Sequence, residues 1–320
     1  MTGLPKLLAA AEQAERHLAE LAAHAVLYAS AREPGLAEAA VEQAYRQLWG
    51  SRPPSLSAQL SGERALGPGA AVGWGRTVLA CHAKLAYALR EAGQLKNWVL
   101  VVEGPKGVGK TTYAFNSLAG ALIDLGFPER RALEYTGEAF FWDLEEFAET
   151  VLELSETGGW VPFAVGDDWG MEAPKYWMME GRREAMIKLA EALDTVKDVV
   201  GVLAITTPVF GKIASFLREL ADMVGSFELV YVGGGRAVKA LWHRPAEVLS
   251  GRRRSVRRAP LPAYLEALPP HARLPDEFWR TMLERRRAAR AERLRAAAEK
   301  LREGAQEEIP GGGEEEGEGG

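Results

Sequence analysis

Cysteine is almost absent from this sequence of 320 residues: Cys81 stands alone, so no disulfide can form within the chain. The five histidines lack the paired spacing of zinc ligands, which argues against a structural zinc site. Charged residues interrupt the alanine- and leucine-rich stretch 6–30, so this stretch resembles neither a signal peptide nor a membrane span. We therefore expect a cytoplasmic protein with no membrane partner.

Charge is distributed unevenly along the chain, although the formal net charge is only −5. Residues 251–303 hold fifteen Lys and Arg against seven Asp and Glu, whereas residues 304–320 hold six Glu and no basic residue. The arginines of 252–258, with no acid between them, favour binding to a polyanion. The arginines of 285–293 are interleaved with glutamates, so two alternatives remain for them: they contact DNA, or they form a solvated helix face. DNA is thus a candidate partner.

Hydrophobic periodicity divides the chain into four regions. Residues 1–95 predict a helical region with a linker over 50–76, and its amphipathic helices could dock a protein partner. Residues 96–245 alternate strand-like and helix-like segments, which is typical of a parallel sheet with helical crossovers. Residues 246–303 predict a basic arm and a C-terminal helix, and residues 304–320 a disordered acidic tail.

Within residues 96–245 the pattern predicts an α/β fold with three layers, α/β/α, and a mostly parallel sheet. Strands are expected over 98–102, 132–136, 161–166, 199–205 and 226–232. Helices are expected over 110–125, 139–155, 179–196 and 210–223. The triple glycine 233–235 predicts a hairpin that closes the sheet with a strand over 237–242.

The strongest motif follows the first of these strands. Gly104-Pro105-Lys106-Gly107-Val108-Gly109-Lys110-Thr111 matches G-x-x-x-x-G-K-[ST], between an apolar strand and a helix. In this motif backbone N–H groups surround phosphates, and we extend the phosphate site to Thr112. Lys110 would contact the β and γ phosphates and Thr111 would ligate Mg²⁺. The sequence therefore predicts a P-loop NTPase that binds ATP and Mg²⁺.

Acidic residues end the strand over 161–166. Asp167 is the candidate Mg²⁺ ligand, and Asp168 is the candidate for orienting the attacking water. Glutamate is more usual at the second position, and Glu172 competes for that role. Thr206 and Thr207 end the next strand and could sense the γ phosphate, although turn residues before Pro208 are the alternative. Trp169 follows the acids in a turn, where nucleotide or partner contact is plausible.

From about residue 95 to 245 the chain resembles the additional-strand P-loop ATPases, which include the AAA+ and RecA-like groups. The phosphate loop followed by Asp167-Asp168-Trp169-Gly170-Met171-Glu172 looks like the D-D-x-G-x-E signature of helicase-loader and transposition-helper ATPases of the DnaC/IstB type. That resemblance puts Thr206-Thr207-Pro208 in the place of a T-S-N sensor, with Pro208 for Asn. Thr206 or Thr207 would then substitute as the sensor.

The same resemblance implies a homo-oligomer in which an arginine finger crosses a subunit interface. Arg218 stands where such ATPases carry this residue, and Arg236 is a second candidate. A surface arginine in a helix salt bridge is the alternative for Arg218. A typical four-helix lid is not evident, so a plasmid- or virus-type P-loop ATPase also stays open.

These motifs lead to the hypothesis of an ATPase that couples Mg·ATP hydrolysis to remodelling or loading of a nucleic-acid complex. Asp168 would orient water, while Lys110, Mg²⁺ and a neighbour's arginine would neutralise charge. A DNA-packaging or conjugation-type motor would use the same core. The motifs are also compatible with a non-hydrolysing nucleotide switch and with a small-molecule kinase.

Overall fold

The computed structural model describes residues 4–50, 71–169, 193–213, 215–250, 253–268 and 274–285, with a few single positions beyond. The chain forms two compact units, Met1–Leu274 and Pro275–Gly320. In chain order the described elements of the first unit are α1 (Leu4–Ser30), α2 (Pro34–Trp49), α3 (Ala71–Trp74), α4 (Val78–Glu91), β1 (Trp98–Glu103), α5 (Lys110–Asp124), α6 (Glu129–Glu138), β2 (Phe140–Phe141), α7 (Leu144–Thr157), β3 (Val161–Gly166), α8 (described over 193–199), β4 (Val200–Thr207), a 3₁₀ turn (Phe210–Lys212), α9 (Ser215–Leu220), β5 (Met223–Val232), β6 (Gly235–Ser250) and β7 (Arg253–Leu268).

One seven-stranded sheet organises this unit, with the order β2-β3-β4-β1-β5-β6-β7. The first five strands of that order are parallel, and β5-β6-β7 are joined by antiparallel pairing. Strand β4 lies between β1, which leads into the phosphate loop, and β3, which ends before Asp167. Since parallel strands end at the same edge, the residues that follow β1, β3 and β4 meet there.

The central strand β1 is buried on both faces, as its continuous apolar run predicts. Leu100, Val101 and Val102 are fully buried. Val101 packs in a cluster with Phe147 of α7 and Leu217 of α9. Because side chains alternate along a strand, Leu100 and Val102 face the other side, where α4 and α5 contact the sheet. Helices on both faces confirm the α/β/α arrangement.

The strand expected over 132–136 is wrong, because these residues lie in helix α6. Ala132 and Thr136, four residues apart, form the buried face of this helix. Glu134 pairs on the exposed face with Arg130, at 2.8 Å, and with Arg131, at 3.3 Å. Spacings of three and four residues bring such side chains together on a helix but not on a strand. The strand of this region is the two-residue β2.

Three other boundaries differ from the expectation. Helix α7 begins at Leu144 rather than at 139, because Asp143 Oδ1 accepts hydrogen bonds from the N–H groups of Glu145, at 2.6 Å, and Glu146, at 3.4 Å. The helix expected over 210–223 is divided into the 3₁₀ turn and α9. Residues 253–268, which we assigned to a basic arm and the chain after it, form strand β7. Most of the linker 50–76 and of the helix 179–196 lies outside the described residues.

The hairpin at the triple glycine is confirmed. Strands β5 and β6 pair from Val232↔Gly235 to Val224↔His243. Gly233 and Gly234 both have positive φ angles, 57° and 76°, which glycine adopts without strain. Both strands continue further than the hydrophobic pattern indicates.

The N-terminal helices α1 and α2 pack on the antiparallel part of the sheet. Ala25 and Val41 form a buried cluster with Val232 of β5, Ala237 of β6 and Leu265 of β7. Helix α1 also contacts α4, and α2 contacts β5. These helices therefore stabilise the outer strands of the sheet. No helix in the described ranges has both the length and the apolar character needed to span a membrane.

A buried carboxyl group joins four of these elements. Glu266 of β7 is fully buried and accepts hydrogen bonds from Trp242 Nε1, at 2.6 Å, from Tyr113 Oη, at 3.0 Å, and from the N–H of Val78. Burial raises the pKa of Glu266 from 4.5 to about 7, although the donated hydrogen bonds oppose that shift. The folded protein therefore holds this proton at pH values where the unfolded chain has lost it.

Folding stability should consequently depend on the protonation of Glu266. Its contribution is complete below about pH 4.5 and is lost as the pH rises through about 7. We expect the stability of the wild type, relative to Glu266→Gln, to fall by about 2 kcal/mol between pH 5 and pH 8. Urea denaturation of both proteins at each pH measures this difference. Glu219→Gln on the exposed side of α9 is the control. A difference that is constant with pH would contradict the assignment.

The second unit is described continuously over 275–285, where residues 276–285 form a helix. The N–H of Trp279 bonds to the carbonyl of Pro275 at 2.8 Å, so the helical bonding begins at the proline. This agrees with the C-terminal helix expected within residues 246–303.

Candidate nucleotide site

The phosphate loop joins β1 to α5 in a conformation that requires glycine. Gly104, Gly107 and Gly109 have φ angles of 155°, 82° and 96°. A Cβ on Gly104 would lie 2.8 Å from the carbonyl oxygen of Phe227, so the loop and β5 approach too closely for a side chain. Val108 is buried and holds the loop against the protein, while Pro105, Lys106 and Gly107 are exposed. The loop therefore presents backbone rather than side chains to a ligand.

Lys110 begins helix α5 directly after the loop. Its Nζ donates hydrogen bonds to the carbonyl oxygens of Gly104, at 2.8 Å, and Pro105, at 3.1 Å, and its side chain is largely buried. The ammonium group thus lies against the loop. The N–H groups in the first turn of a helix have no acceptor within the helix, and Lys110, Thr111 and Thr112 occupy this turn. One cationic group and one helix N-terminus therefore converge on the loop.

Asp167 connects the phosphate loop helix with two strands. Its Oδ1 accepts hydrogen bonds from Thr111 Oγ1 and from Thr206 Oγ1, each at 2.8 Å. Its own N–H bonds to the carbonyl of Phe141 at 2.9 Å. Asp167 and Thr206 are almost completely buried. The structure therefore brings together three residues that the sequence places 56 and 39 positions apart.

The two threonines at the end of β4 have different surroundings. Thr206 accepts a hydrogen bond from the N–H of Asp168, at 2.9 Å, besides its bond to Asp167. Thr207 Oγ1 accepts from the N–H of Val209 at 3.3 Å, which is a local turn bond across Pro208. Of the two sensor candidates, Thr206 is therefore the one in contact with the acidic residues.

Asp168 has a left-handed backbone, with φ of 62°, and no other described non-glycine residue has a positive φ. This conformation is uncommon outside glycine, though aspartate is among the residues that adopt it. The hydrogen bond from its N–H to Thr206 holds the turn in place. Glu172, the competing candidate, lies outside the described residues.

Trp169 is part of the core, so the expectation that it contacts a ligand is wrong. Its side chain is fully buried, and its Nε1 donates to the carbonyl of Phe141 at 3.1 Å. The ring packs edge-on against Phe147, with 4.9 Å between ring centroids. A Cβ on Gly166 would lie 2.2 Å from Trp169 Cδ2, so the indole covers the strand where glycine leaves room. The chain changes direction at Asp168, so Trp169 packs back against the sheet.

Gly166→Ala should therefore destabilise the fold. The added methyl group overlaps an indole that is fixed by its hydrogen bond and by Phe147, and overpacking of this kind costs about 2 kcal/mol. Urea denaturation at constant pH measures the loss. Gly35→Ala is the matched control, because no atom lies within 4 Å of its added Cβ and no positive φ is involved. Equal stability of Gly166→Ala and wild type would contradict the packing described.

Glu103 belongs to the same edge of the sheet, and sequence reasoning missed it. Its Oε2 accepts from the N–H of Phe210, at 3.0 Å, and its Oε1 from Ser226 Oγ, at 2.9 Å. The N–H of Gly104 also bonds to the carbonyl of Thr207 at 3.2 Å. The start of the loop is thus fixed to the chain that leads into α9. The sequence does carry a signal for this residue, since Glu103 is an acidic residue at the end of an apolar strand.

Neither Arg218 nor Arg236, the candidates for the arginine finger, is a partner in the hydrogen bonds given above for the described residues of the site. Arg218 is half-buried on α9, and its Nε is buried with no hydrogen-bond partner among the described residues. Arg236 pairs with Tyr231 in the hairpin of β5 and β6. Glu103, the last residue of β1, pairs with Ser226, and β5 continues from there to Val232. The hairpin of β5 and β6 therefore extends beyond the end of β1 at the phosphate-loop edge. Arg236 therefore lies past that edge.

The residues present fit a Mg²⁺ nucleotide. Thr111 Oγ1 and Asp167 Oδ1, 2.8 Å apart, are the hydroxyl and carboxylate oxygens that Mg²⁺ prefers. The space at Gly107 and Gly109 is open, since no atom lies within 4 Å of a Cβ placed on either. Phosphate oxygens there would accept hydrogen bonds from the first turn of α5.

Comparison with known proteins gives limited similarity. No protein-family model matches the sequence. The chain is 28% identical over 120 residues to an uncharacterised protein, B-251, of Sulfolobus spindle-shape virus 1; the match covers 37% of this chain and 46% of that protein, so the chain spans about half the length of this curated relative. A solved structure of a KaiC-like protein from Pyrococcus horikoshii OT3 is 16% identical and covers 56% of this chain and 93% of its own, with a TM-score of 0.32. The fold assignment therefore depends on the sheet order and the phosphate loop.

Proposed function

We propose that this protein is a Mg²⁺-dependent ATPase. The observation that carries the proposal is the contact of Thr111 with Asp167 beside a complete phosphate loop. A phosphate loop alone binds nucleotide, but a hydroxyl and a carboxylate at its open side supply a place for the metal ion. Strand β4 between β1 and β3 is the arrangement expected for the additional-strand P-loop ATPases.

Each residue of the site then has a role in hydrolysis. On nucleotide binding, Lys110 would replace its hydrogen bonds to the loop carbonyls with hydrogen bonds to the β and γ phosphates. The N–H groups of the loop would bind the phosphate chain. Thr111 and Asp167 would hold Mg²⁺, which neutralises charge on the phosphate oxygens. Asp168, with Thr206, would orient water for in-line attack. An arginine of a neighbouring subunit, Arg218 or Arg236, would stabilise the charge of the transition state.

We further propose that hydrolysis is coupled to loading or remodelling of a nucleic-acid complex by a homo-oligomer. The support is the resemblance of Asp167-Asp168 and the residues after them to helicase-loader ATPases, together with the arginines of 252–258. Val26 and Leu27 on α1 are exposed apolar residues and form the candidate contact for a protein partner.

Measurement of ATP hydrolysis by the purified protein tests the proposal. Release of phosphate should require Mg²⁺ and stop in EDTA. Turnover per subunit that rises with protein concentration would support a shared site, and Arg218→Ala should then reduce it. ATP binding without hydrolysis, with or without DNA, would favour the nucleotide switch and contradict the ATPase. Transfer of phosphate to a small molecule instead of water would favour the kinase.

A further inference from the structure

The last two strands of the sheet continue as a two-stranded ribbon. Residues 245–250 of β6 pair with residues 253–258 of β7, from Pro245↔Arg258 to Ser250↔Arg253. We name these two segments the arginine arm. The pairing of β5 with β6 ends at Val224↔His243, so in the described part of the chain only the two segments of the arm pair with each other. Six pairs at about 3.3 Å per residue make the arm roughly 20 Å long.

The arm points away from the phosphate loop. Strand β1 reaches the loop at Glu103, which pairs with Ser226 of β5. Strand β6 runs antiparallel to β5 and passes from Leu241, opposite Ser226, to His243, opposite Val224. Residues after His243 therefore leave the sheet at the edge opposite the phosphate loop. A ligand on the arm would be separate from the nucleotide.

The base of the arm is fixed to the core. Trp242 and Leu265 are fully buried, and the pairing changes register between Trp242 and Pro245. Between the pairs Trp242↔Tyr264 and Pro245↔Arg258, β6 has two residues and β7 has five. A bulge of this kind bends and twists the ribbon at a defined place. The arm is thus a bent extension of a packed sheet.

Cationic residues belong to both faces of the arm. In an antiparallel ribbon the residues of one strand alternate between the faces, so Arg254 and Arg258 share one face and Arg253 and Arg257 the other. Glu247 is the one acid in the two segments. A ligand that neutralises the positive charge on both faces has to lie on both sides of the ribbon. The two phosphate backbones that border a nucleic-acid groove have this arrangement.

The groove of B-form DNA has the matching dimensions. Its major groove is about 12 Å wide and admits a two-stranded ribbon. A membrane surface would require an apolar face, and single-stranded DNA is usually bound through aromatic side chains that stack on bases. The arm contains no aromatic residue in either segment. Double-stranded DNA is therefore the polyanion that this ribbon fits best.

We propose that the arginine arm enters the major groove of double-stranded DNA and contacts the phosphates on both sides without reading the base sequence. The proposal extends the DNA-linked part of the proposed function and does not depend on ATP hydrolysis. Its test is therefore made without nucleotide, so that failure of the ATPase assignment and failure of the arm are distinguished.

Fluorescence anisotropy of a labelled 20-base-pair duplex with the full-length protein is the measurement. Four neutralised phosphates predict a slope of about −3.6 for log affinity against log salt, which is roughly a 100-fold loss between 50 and 200 mM salt. Replacing Arg253, Arg254, Arg257 and Arg258 together by Gln should weaken binding at least about 30-fold and flatten that slope. Replacing the same four by Lys should retain most of the affinity, because phosphates accept either cation.

The control replaces four exposed cations of the first unit outside the arm, Lys6, Arg16, Arg32 and Lys197, by Gln, which removes the same charge elsewhere. We expect a change in affinity of less than about threefold. Loss of binding in this control with retention in the arm variant would overturn the proposal. So would equal affinity for single-stranded DNA, or displacement of the duplex by polyglutamate at equal charge concentration. Unequal affinities for unrelated duplex sequences would contradict the absence of base reading.

Discussion

Lys110→Ala should reduce ATP hydrolysis by about 1,000-fold, the upper end of the loss when one transition-state donor is removed. The ammonium group is the cation that the structure places against the phosphate loop, through the carbonyls of Gly104 and Pro105. Negative charge develops on the oxygens between the β and γ phosphates as their bond breaks, so loss of the ammonium group should affect turnover more than ADP binding. Phosphate release at saturating Mg·ATP measures the effect.

Lys6→Ala is the control for this experiment, because Lys6 is an exposed residue of α1 away from the loop. It should hydrolyse ATP at the rate of the wild type. The same preparation of Lys110→Ala also reports any contaminating ATPase, since such activity would survive the substitution. Retention of full turnover by Lys110→Ala, with a clean control, would refute the assignment of the site.

Asp167→Asn should also lower hydrolysis by about 1,000-fold, but through the metal ion. The amide oxygen can still accept the hydrogen bonds from Thr111 and Thr206, so the network and the fold should be retained. What is lost is the negative charge that would hold Mg²⁺. We therefore expect the Mg²⁺ concentration for half-maximal activity to rise, while metal-free nucleotide binding stays near the wild-type value.

A titration of activity with Mg²⁺ at fixed ATP separates this effect from simple damage to the fold. Asp198→Asn provides the matched control, since Asp198 is exposed at the end of α8. An Asp167→Asn protein whose activity has the Mg²⁺ dependence of the wild type would show that the metal is held elsewhere. Thermal unfolding of the three proteins should give similar midpoints.

The phosphate loop and Asp167 could be predicted because their signals are local. Eight consecutive residues define the loop, and Asp167 directly follows a buried strand. The hydrogen bonds of Asp167 then follow from strand order, which places the ends of β1, β4 and β3 side by side. Sequence periodicity also indicated the fold class, since the alternation of strands and helices is strong there.

Three other features are not predicted from the sequence. Tyr135 and Thr136 have side chains common in strands, yet helix α6 forms because its ion pairs and buried face have helical spacing. The place of Trp169 is determined by the missing side chain of Gly166 and by the carbonyl of Phe141. Strand β7 is not predicted because its arginines and prolines resemble a linker, although its pairing partner β6 ends only two residues before it begins.

Strand β6 is one continuous segment of 16 residues from Gly235, beyond the phosphate loop, to Ser250, at the end of the arm. At about 3.3 Å per residue it spans roughly 50 Å. Backbone pairing with β5 supports its first half, and pairing with β7 supports both sides of the bulge. A tilt of the hairpin at the nucleotide edge would therefore be carried along one strand to the arm, through the change of register near His243.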